Sequence, residues 1–587
     1  MRGFTRFLAF IGAIVLVIFV ICFLTAIGVR IARHRVASNT VLEINLEGKM
    51  VEDVPDDAVA RAMLSDRNVV RDVVDALDRA GDDSRVVGAV AHIAGSGIGI
   101  AQVQEIREAI QRFRAKKKFA IAFSETFGEY GPGTGGYYLA TAFDQIYLQP
   151  SGDIGLTGIL FESPFIKGTL AKLGTQFHGD HRYEYKTALD LYTETGLTPA
   201  AREEDSKVVT SWYGQIVRGI AEGRHLGEDQ VRALIDRGPL LGPQALDAKL
   251  VDGLSYRDEV MDQVKKKAGS GSQLLYFQRY LERAGRPHSK GKGVALIYGV
   301  GAVSRGKSGY DPVFGNAGMG SDTVSAAFPA AADDKDIKAI LFRVDSPGGS
   351  YVASDAIWRE VVKARKAGKP VIVSMGDLAG SGGYFVAMPA DKIVAQPGTI
   401  TASIGVLNGK LLTSGFWQKI GLSWDSVQAG ANATMWTGTH DFTPAEWQIF
   451  ESWLDRIYAD FTTKVADGRH MPKDKVLQIA KGRIWTGEDA KGLGLVDELG
   501  GFDEALKLTK KAAGIPDSED VNLRVFPEKK PFWQLLTGEK PPNSDHEAAR
   551  QALVEVMNLV QPVAQKLQIL GAGKSPEVLE MRPLPQP

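Results

Sequence analysis

The chain has 587 residues, 44% of them hydrophobic and 24% charged, the make-up of a folded body with ample core. That length exceeds one ordinary domain and calls for two or more. A formal net charge of -1 speaks against a surface built for nucleic acid, and the single cysteine, Cys22, excludes a disulfide framework or a thiolate metal site in the body.

Phe7 to Val29 is free of charged residues and mostly apolar. At about 23 residues it can span a hydrocarbon core of about 30 Å, whereas a cleaved signal peptide has a shorter apolar core, so an uncleaved anchor is expected. Arg2 and Arg6 precede it and Arg30, Arg33 and Arg35 follow, a balance that leaves its orientation open on charge alone. Thr40–Gly48 then alternates as a strand does.

Internal repetition organises the rest. V-G-A-V-A-H-I-A-G-S-G at Val87–Gly97 parallels I-K-A-I-L-F-R-V-D-S-P at Ile337–Pro347, and G-T-G-G-Y-Y-L-A at Gly133–Ala140 parallels G-S-G-G-Y-F-V-A at Gly380–Ala387. L-T-P-A-A-R-E-E-D near Thr198 matches F-T-P-A-E-W near Thr443, and A-K-L-V-D-G at Ala248–Gly253 matches L-G-L-V-D-E at Leu493–Glu498. The offset drifts smoothly from about 250 to about 245, a period that means a duplicated α/β domain rather than a solenoid. The expected domains are an anchor over 1–36, a first copy over 37–290, a second over 291–517 and an extension over 518–587. The polar, breaker-rich Gly285–Gly293 separates the copies. In the extension, Ser544 and Glu547 form a capping box for a helix running to Gln568, and the Pro-rich Gly571–Pro587 is expected to be disordered.

From Ala339 to Val406 the second copy reads as strand, Gly-rich turn, helix, strand, Gly-rich turn and helix, which is β-α-β organisation. The turns at the carboxyl ends of such strands converge on one crevice. Asp345–Ser350 offers unobstructed backbone N–H groups there, and Ala379–Tyr384 offers the Ser381 hydroxyl between glycines, the pairing that acyl transfer needs. A lone G-S-G-G would be better read as a helix start. The preceding S-P-G-G and the duplicated frame favour a nucleophile. The segment is neither a G-x-S-x-G elbow, since Ala379 holds the first position, nor a phosphate loop, since no G-K-[S/T] follows.

The first copy has Thr134 at the Ser381 position and the looser Gly95–Gly99 at the S-P-G-G position, so it has lost the chemistry. No histidine lies between His288 and His440 to serve as base. A Ser–Lys pair is the alternative. Lysines are too numerous for composition to select one. Lys186, twelve residues before Thr198 in R-Y-E-Y-K-T-A-L-D, stands out moderately, because the second copy has Ala431 at that place. Lys392 reads as a solvated strand entry, Asp345 and Asp377 as turn-stabilising, and the recurring Tyr137 and Tyr384 as packing.

D-S-P-G-G-S, S-M-G-D-L-A-G-S-G-G-Y, I-T-A-S-I-G-V, Y-K-T-A and L-T-P-A-A-R-E-E-D, in that frame, resemble the signal peptide peptidase A (protease IV) family in its long, duplicated, membrane-anchored bacterial form. The resemblance spans Thr40 to Asp517. It implies tandem crotonase- or Clp-protease-like domains, Ser381 as nucleophile and Lys186 as general base. The oxyanion donors it implies are the N–H groups of Gly382 and Gly348, with Gly349 as neighbour. It further implies a single-pass inner-membrane protein with a periplasmic body, a homotetramer, no cofactor or metal, and liberated signal peptides as substrates. One departure is Gly380, where the family more often has alanine. An extended substrate is expected to pair with backbone around Ser350, Tyr351 and Val352 as an added strand. Two other readings use the same frame: a crotonase-type acyl-CoA enzyme, and a membrane scaffold whose catalysis has decayed.

Overall fold

The computed structural model describes residues 35–95, 97–528 and 579–581. The expected anchor Phe7–Val29 and the helix begun by Ser544 lie outside the described residues. Among the described residues, no helix is long and apolar enough to cross a membrane.

The first half carries the strands β1 (Thr40–Leu46), β2 (Val86–Ile93), β3 (Phe119–Ser124), β4 (Gln145–Leu148), β5 (Gly253–Leu254) and β6 (Gln273–Tyr276), with helices α1 (Ile100–Ala115), α2 (Thr134–Ala140) and α3 (Pro199–Arg224). Its sheet runs β5-β4-β3-β2-β1-β6, parallel throughout. The second half repeats this with β7 (Lys292–Val300), β8 (Ile337–Ser346), β9 (Gly348–Gly349), β10 (Val371–Gly380), β11 (Lys392–Ala395), β12 (Ile400–Ala402), β13 (Ile484–Thr486), β14 (Glu498–Leu499) and β15 (Val521–Phe526), and with helices α4 (Tyr351–Lys366), α5 (Gly382–Ala387) and α6 (Pro444–Arg469). Strands β14-β11-β10-β8-β7-β15 follow the same order as the first sheet. The second sheet therefore runs to Phe526, past the expected domain end at 517. V-N-L-R-V-F pairs in parallel with β7 just as β6 pairs with β1.

Strands buried on both faces read as continuous apolar runs, which is why A-I-L-F-x-V in β8 does not alternate. One face of the second sheet packs on α4 and α6, through Phe342, Ile357, Phe450 and Phe461. The other packs on a helix over Phe502–Ala512, through Leu341, Ile372 and Leu506. Helices α3 and α6 show the repeat in detail. Each has 26 residues, a threonine N-cap (Thr198, Thr443), proline at the first turn, and a left-handed histidine C-cap (His225, His470).

The halves share buried contacts. The Trp212 indole N–H on α3 donates to Gly398 O at 2.9 Å, and Gln104 on α1 accepts from Gly398 N at 2.8 Å. An antiparallel pair, Gln176–His181 with Leu407–Leu412, bridges the halves through backbone hydrogen bonds. Outside both repeats, a further strand, β16 (Leu579–Glu580), lies antiparallel to β9, so this part of the expected disordered tail is ordered by pairing.

Candidate active site

Strand β8 ends at Ser346 and the chain turns through Pro347 into Gly348 and Gly349, whose φ values are 97° and 149°. Glycine is required at 349, because a Cβ there would stand 2.2 Å from Val303 O. Ser350 then caps α4, its hydroxyl accepting from Ala353 N. This corrects one expectation. Ser350, Tyr351 and Val352 begin a helix and cannot pair with a strand; Tyr351 gives its hydroxyl to Asp460 at 2.7 Å and Val352 is exposed. The extended edge is Gly348–Gly349 instead.

One strand over, β10 ends at Gly380 and α5 begins at Gly382. Ser381 between them has φ 52° and ψ -113°, a conformation that costs a non-glycine residue about 1–3 kcal/mol and is held only where surroundings over-determine it. Its N–H donates to Ala402 O at 2.7 Å and its carbonyl accepts from Phe385 N at 2.8 Å. The next turn is also left-handed, at Ala402 (φ 66°) and Ser403 (φ 50°). Ser381 is fully buried.

Lys186 comes from the other half of the chain, 195 residues away, and is 1% exposed. The segment leading to it is laid along the second half: Arg182 N donates to Val406 O and Tyr185 N to Lys481 O. Its Nζ donates to Ser381 Oγ at 2.8 Å, to Ser403 Oγ at 3.0 Å and to Ser403 O at 3.2 Å. Two glycines make room for the stem. A Cβ on Gly405 would meet Lys186 Cδ at 3.1 Å, and one on Gly482 would meet Lys186 Cβ at 2.5 Å. Ser403, Gly405 and Gly482 were not singled out from sequence as site residues, although I-T-A-S-I-G-V carried the first two.

The glycines expected to donate hydrogen bonds lie close together, with Gly382 directly following Ser381. A Cβ on Gly382 would stand 3.0 Å from Gly349 N and 3.1 Å from Gly348 Cα, so the start of α5 touches the glycine turn. Gly348 N–H is given to Ser346 Oγ at 3.1 Å, which leaves Gly382 and Gly349 as the pair adjacent across the turn.

Behind the turn lies a buried ionic cluster that joins the halves. Arg343 on β8 reaches Glu52 at 2.8 Å and Glu105 on α1 at 2.9 Å, and its third nitrogen donates to Ser374 Oγ at 2.8 Å. Asp345 accepts from Leu378 N at 2.9 Å, a turn-stabilising bond as expected. Asp377 does something else. Its Oδ1 accepts from Ala101 N at 2.7 Å and Gln102 N at 3.1 Å, so it caps α1 of the opposite half. Burial, aided by the charge of Glu52, pushes the Asp377 carboxyl up to about 7 and the Asp345 carboxyl well above the usual range.

Tyr137 and Tyr384 are buried equivalents, giving their hydroxyls to Leu250 O at 2.7 Å and Leu495 O at 2.9 Å. Lys392 is exposed and paired with Asp497. Glu47, His92 and Glu125 cluster at the strand ends of the first sheet, with the imidazole Nδ1 turned to Glu47 and Nε2 to Glu125.

A buried serine hydroxyl against a lysine amine, beside glycine N–H groups, is equipped for acyl transfer. Similarity to known proteins points the same way. The model of peptidase family S49 matches twice, over residues 113–270 and 363–516. Protease 4 of Salmonella typhi is 33% identical over 454 residues, covering 75% of this chain and 71% of that protein. Protease 4 of Haemophilus influenzae is 28% identical over 600 residues, covering 97% and 93%, and the chloroplastic serine protease SPPA of Arabidopsis thaliana is 29% identical over 502 residues, covering 84% and 72%. The acyl-CoA reading gives way to these matches. The chain belongs to peptidase family S49 and is a serine-type peptidase.

Proposed function

We propose that this chain is a membrane-anchored serine endopeptidase in which Ser381 is the nucleophile and Lys186 the general base, and that it hydrolyses extended apolar peptides, liberated signal peptides among them. The observation that carries this reading is the 2.8 Å contact between Lys186 Nζ and Ser381 Oγ, made by two residues from opposite halves of one chain. In the proposed reaction a neutral Lys186 takes the Ser381 proton as Oγ bonds to the peptide carbonyl carbon. The resulting oxyanion is held by N–H groups of Gly382 and the Gly348–Gly349 turn. Lys186 returns the proton to the departing amine as the C–N bond breaks, and water, deprotonated by the same lysine, releases the acyl group. Ser403 positions the amine by accepting at 3.0 Å.

Because the extended edge is Gly348–Gly349, the substrate is proposed to add there as a strand, read by main chain and by pockets rather than by a fixed sequence. The membrane anchor at Phe7–Val29, the periplasmic placement of the body, the crotonase- or Clp-protease-like ancestry and a homotetrameric assembly belong to the same proposal. They rest on the length of the apolar run and on the family resemblance.

The test is incubation of detergent-solubilised protein with an apolar fluorogenic peptide and, in parallel, with a fluorophosphonate. The expected result is peptide cleavage and an adduct mapped by mass spectrometry to Ser381. An adduct on another serine, with cleavage intact, would overturn the assignment.

A further inference from the structure

The tail residues Leu579, Glu580 and Met581 sit where a substrate strand is proposed to sit. Strand β16 pairs antiparallel with the glycine turn, Glu580 opposite Gly348 and Leu579 opposite Gly349, and Met581 N donates to Pro347 O at 3.0 Å. Met581 is 4% exposed and joins the buried cluster that contains Ile400 and Ile484. With Lys186, Ser403 and Ile484 it lines one small cavity, so it shares that cavity with the lysine and the serine that positions it. Its placement depends on Gly380. A Cβ at that position would stand 2.5 Å from Met581 Sδ and 3.3 Å from Cε. An alanine at 380 would crowd the methionine sulfur and force that side chain to shift. Among the described residues, no strand pairs with the corresponding turn of the first half.

We propose that residues 579–581 are a built-in occupant of the peptide-binding cleft, and that the pocket opened by Gly380 is a subsite selecting long, unbranched apolar side chains such as methionine. The inference rests on the peptidase reading of the cleft. A peptide cannot pair with Gly348–Gly349 while β16 does, so the tail and the substrate compete for one edge. A cleft open only part of the time binds with an affinity reduced by the open fraction.

The first test uses catalytically silent protein, Ser381→Ala, as the full chain and as a chain ending at Lys574. The probe is a fluorescently labelled synthetic peptide spanning residues 575–585. The shortened chain is expected to bind it at least about tenfold more tightly than the full chain, because the tethered copy competes at high effective concentration. Met581→Asp in the probe, or Gly380→Ala in the shortened protein, is expected to weaken that binding by about tenfold or more, since each removes the fit of the pocket. With Ser381 intact, Met581→Asp in the full chain is expected to lower KM for an apolar peptide by about threefold or more with kcat unchanged, because only the open fraction changes. That variant serves if the shortened chain does not fold. Equal probe binding by long and short chains, or a KM that Met581→Asp leaves unchanged, overturns the proposal. The binding arm needs no catalysis. Protein that binds the probe as expected but cleaves no peptide would refute the dyad, not the tail's place in the cleft.

Discussion

The two halves of this chain are one fold used for two purposes, and the residue at the start of the helix that follows the central strand shows the difference. In the first half that residue is Thr134, the first residue of α2, whose hydroxyl donates to Gly158 O at 3.0 Å and whose φ is negative. In the second it is Ser381, twisted to φ 52° with its hydroxyl against Lys186. Backbone strain is kept at the proposed nucleophile and is absent at its counterpart. Conversely, the first half supplies the lysine and the second has Ala431 at the matching place. On the proposed dyad, the duplication divides one active site between two copies, and the serine–lysine contact exists only while the halves are held together.

The largest expected effect tests that division of labour. Ser381→Ala is expected to lower kcat/KM on an apolar fluorogenic peptide by about 10³-fold or more, with the urea midpoint little changed. Activity near wild type would place the nucleophile elsewhere. Next comes the bond between the halves. Arg343 lies where the first copy has Ile93, and it neutralises Glu52 and Glu105. Arg343→Met is expected to cost about 3–5 kcal/mol in urea unfolding, since it strands two buried carboxylates. A cost below about 1 kcal/mol would mean that the cluster is not what holds the halves.

Asp377 makes the same junction sensitive to pH. Its folded carboxyl titrates near 7, above the ordinary value of about 4, so the folded state holds the proton more tightly than the unfolded state. The stability this contributes is complete below about pH 4 and is lost as pH rises through about 7. Asp377→Asn keeps an oxygen to cap α1 but removes the titration. Its stability relative to wild type is therefore expected to improve with pH across that window, at a slope approaching about 1.4 kcal/mol per pH unit. A difference that does not vary with pH would contradict the assignment. The smallest effects concern what the copies still share. Tyr137→Phe and Tyr384→Phe each leave a buried carbonyl without its hydroxyl donor and are expected to cost about 1–2 kcal/mol apiece in thermal unfolding. Unequal costs, one negligible and one large, would show that the matched geometry hides different roles.

Much of this was legible in the sequence because the chain contains its own comparison. The repeat exposed two copies of one α/β domain, the glycine turns and Ser381, and matched Thr198 with Thr443. Ser350–Val352 was misread as a strand edge because S-P-G-G drew attention to backbone, although serine three residues before Ala353 is also a cap. Strand β15 was missed because the motif match ends near Asp517, while the sheet needs one more strand to cover β7. Arg343, Glu52, Glu105 and Asp377 are separated by up to about 325 residues, and no local pattern announces a charge in an apolar run. Strand β16 is shorter still. Two residues in a Pro-rich tail carry no periodicity, and only the glycine edge that receives them gives them form.

The central proposal is that a lysine from the first half activates a serine from the second. The direct measurement is kcat/KM against pH for wild type and Lys186→Ala, each with an apolar fluorogenic peptide. The account predicts a wild-type rate that rises with pH to a plateau through one deprotonation, and a loss of about 10²–10⁴-fold in Lys186→Ala with that ascending limb gone. A Lys186→Ala profile with the same ascending limb and a rate near wild type would contradict it.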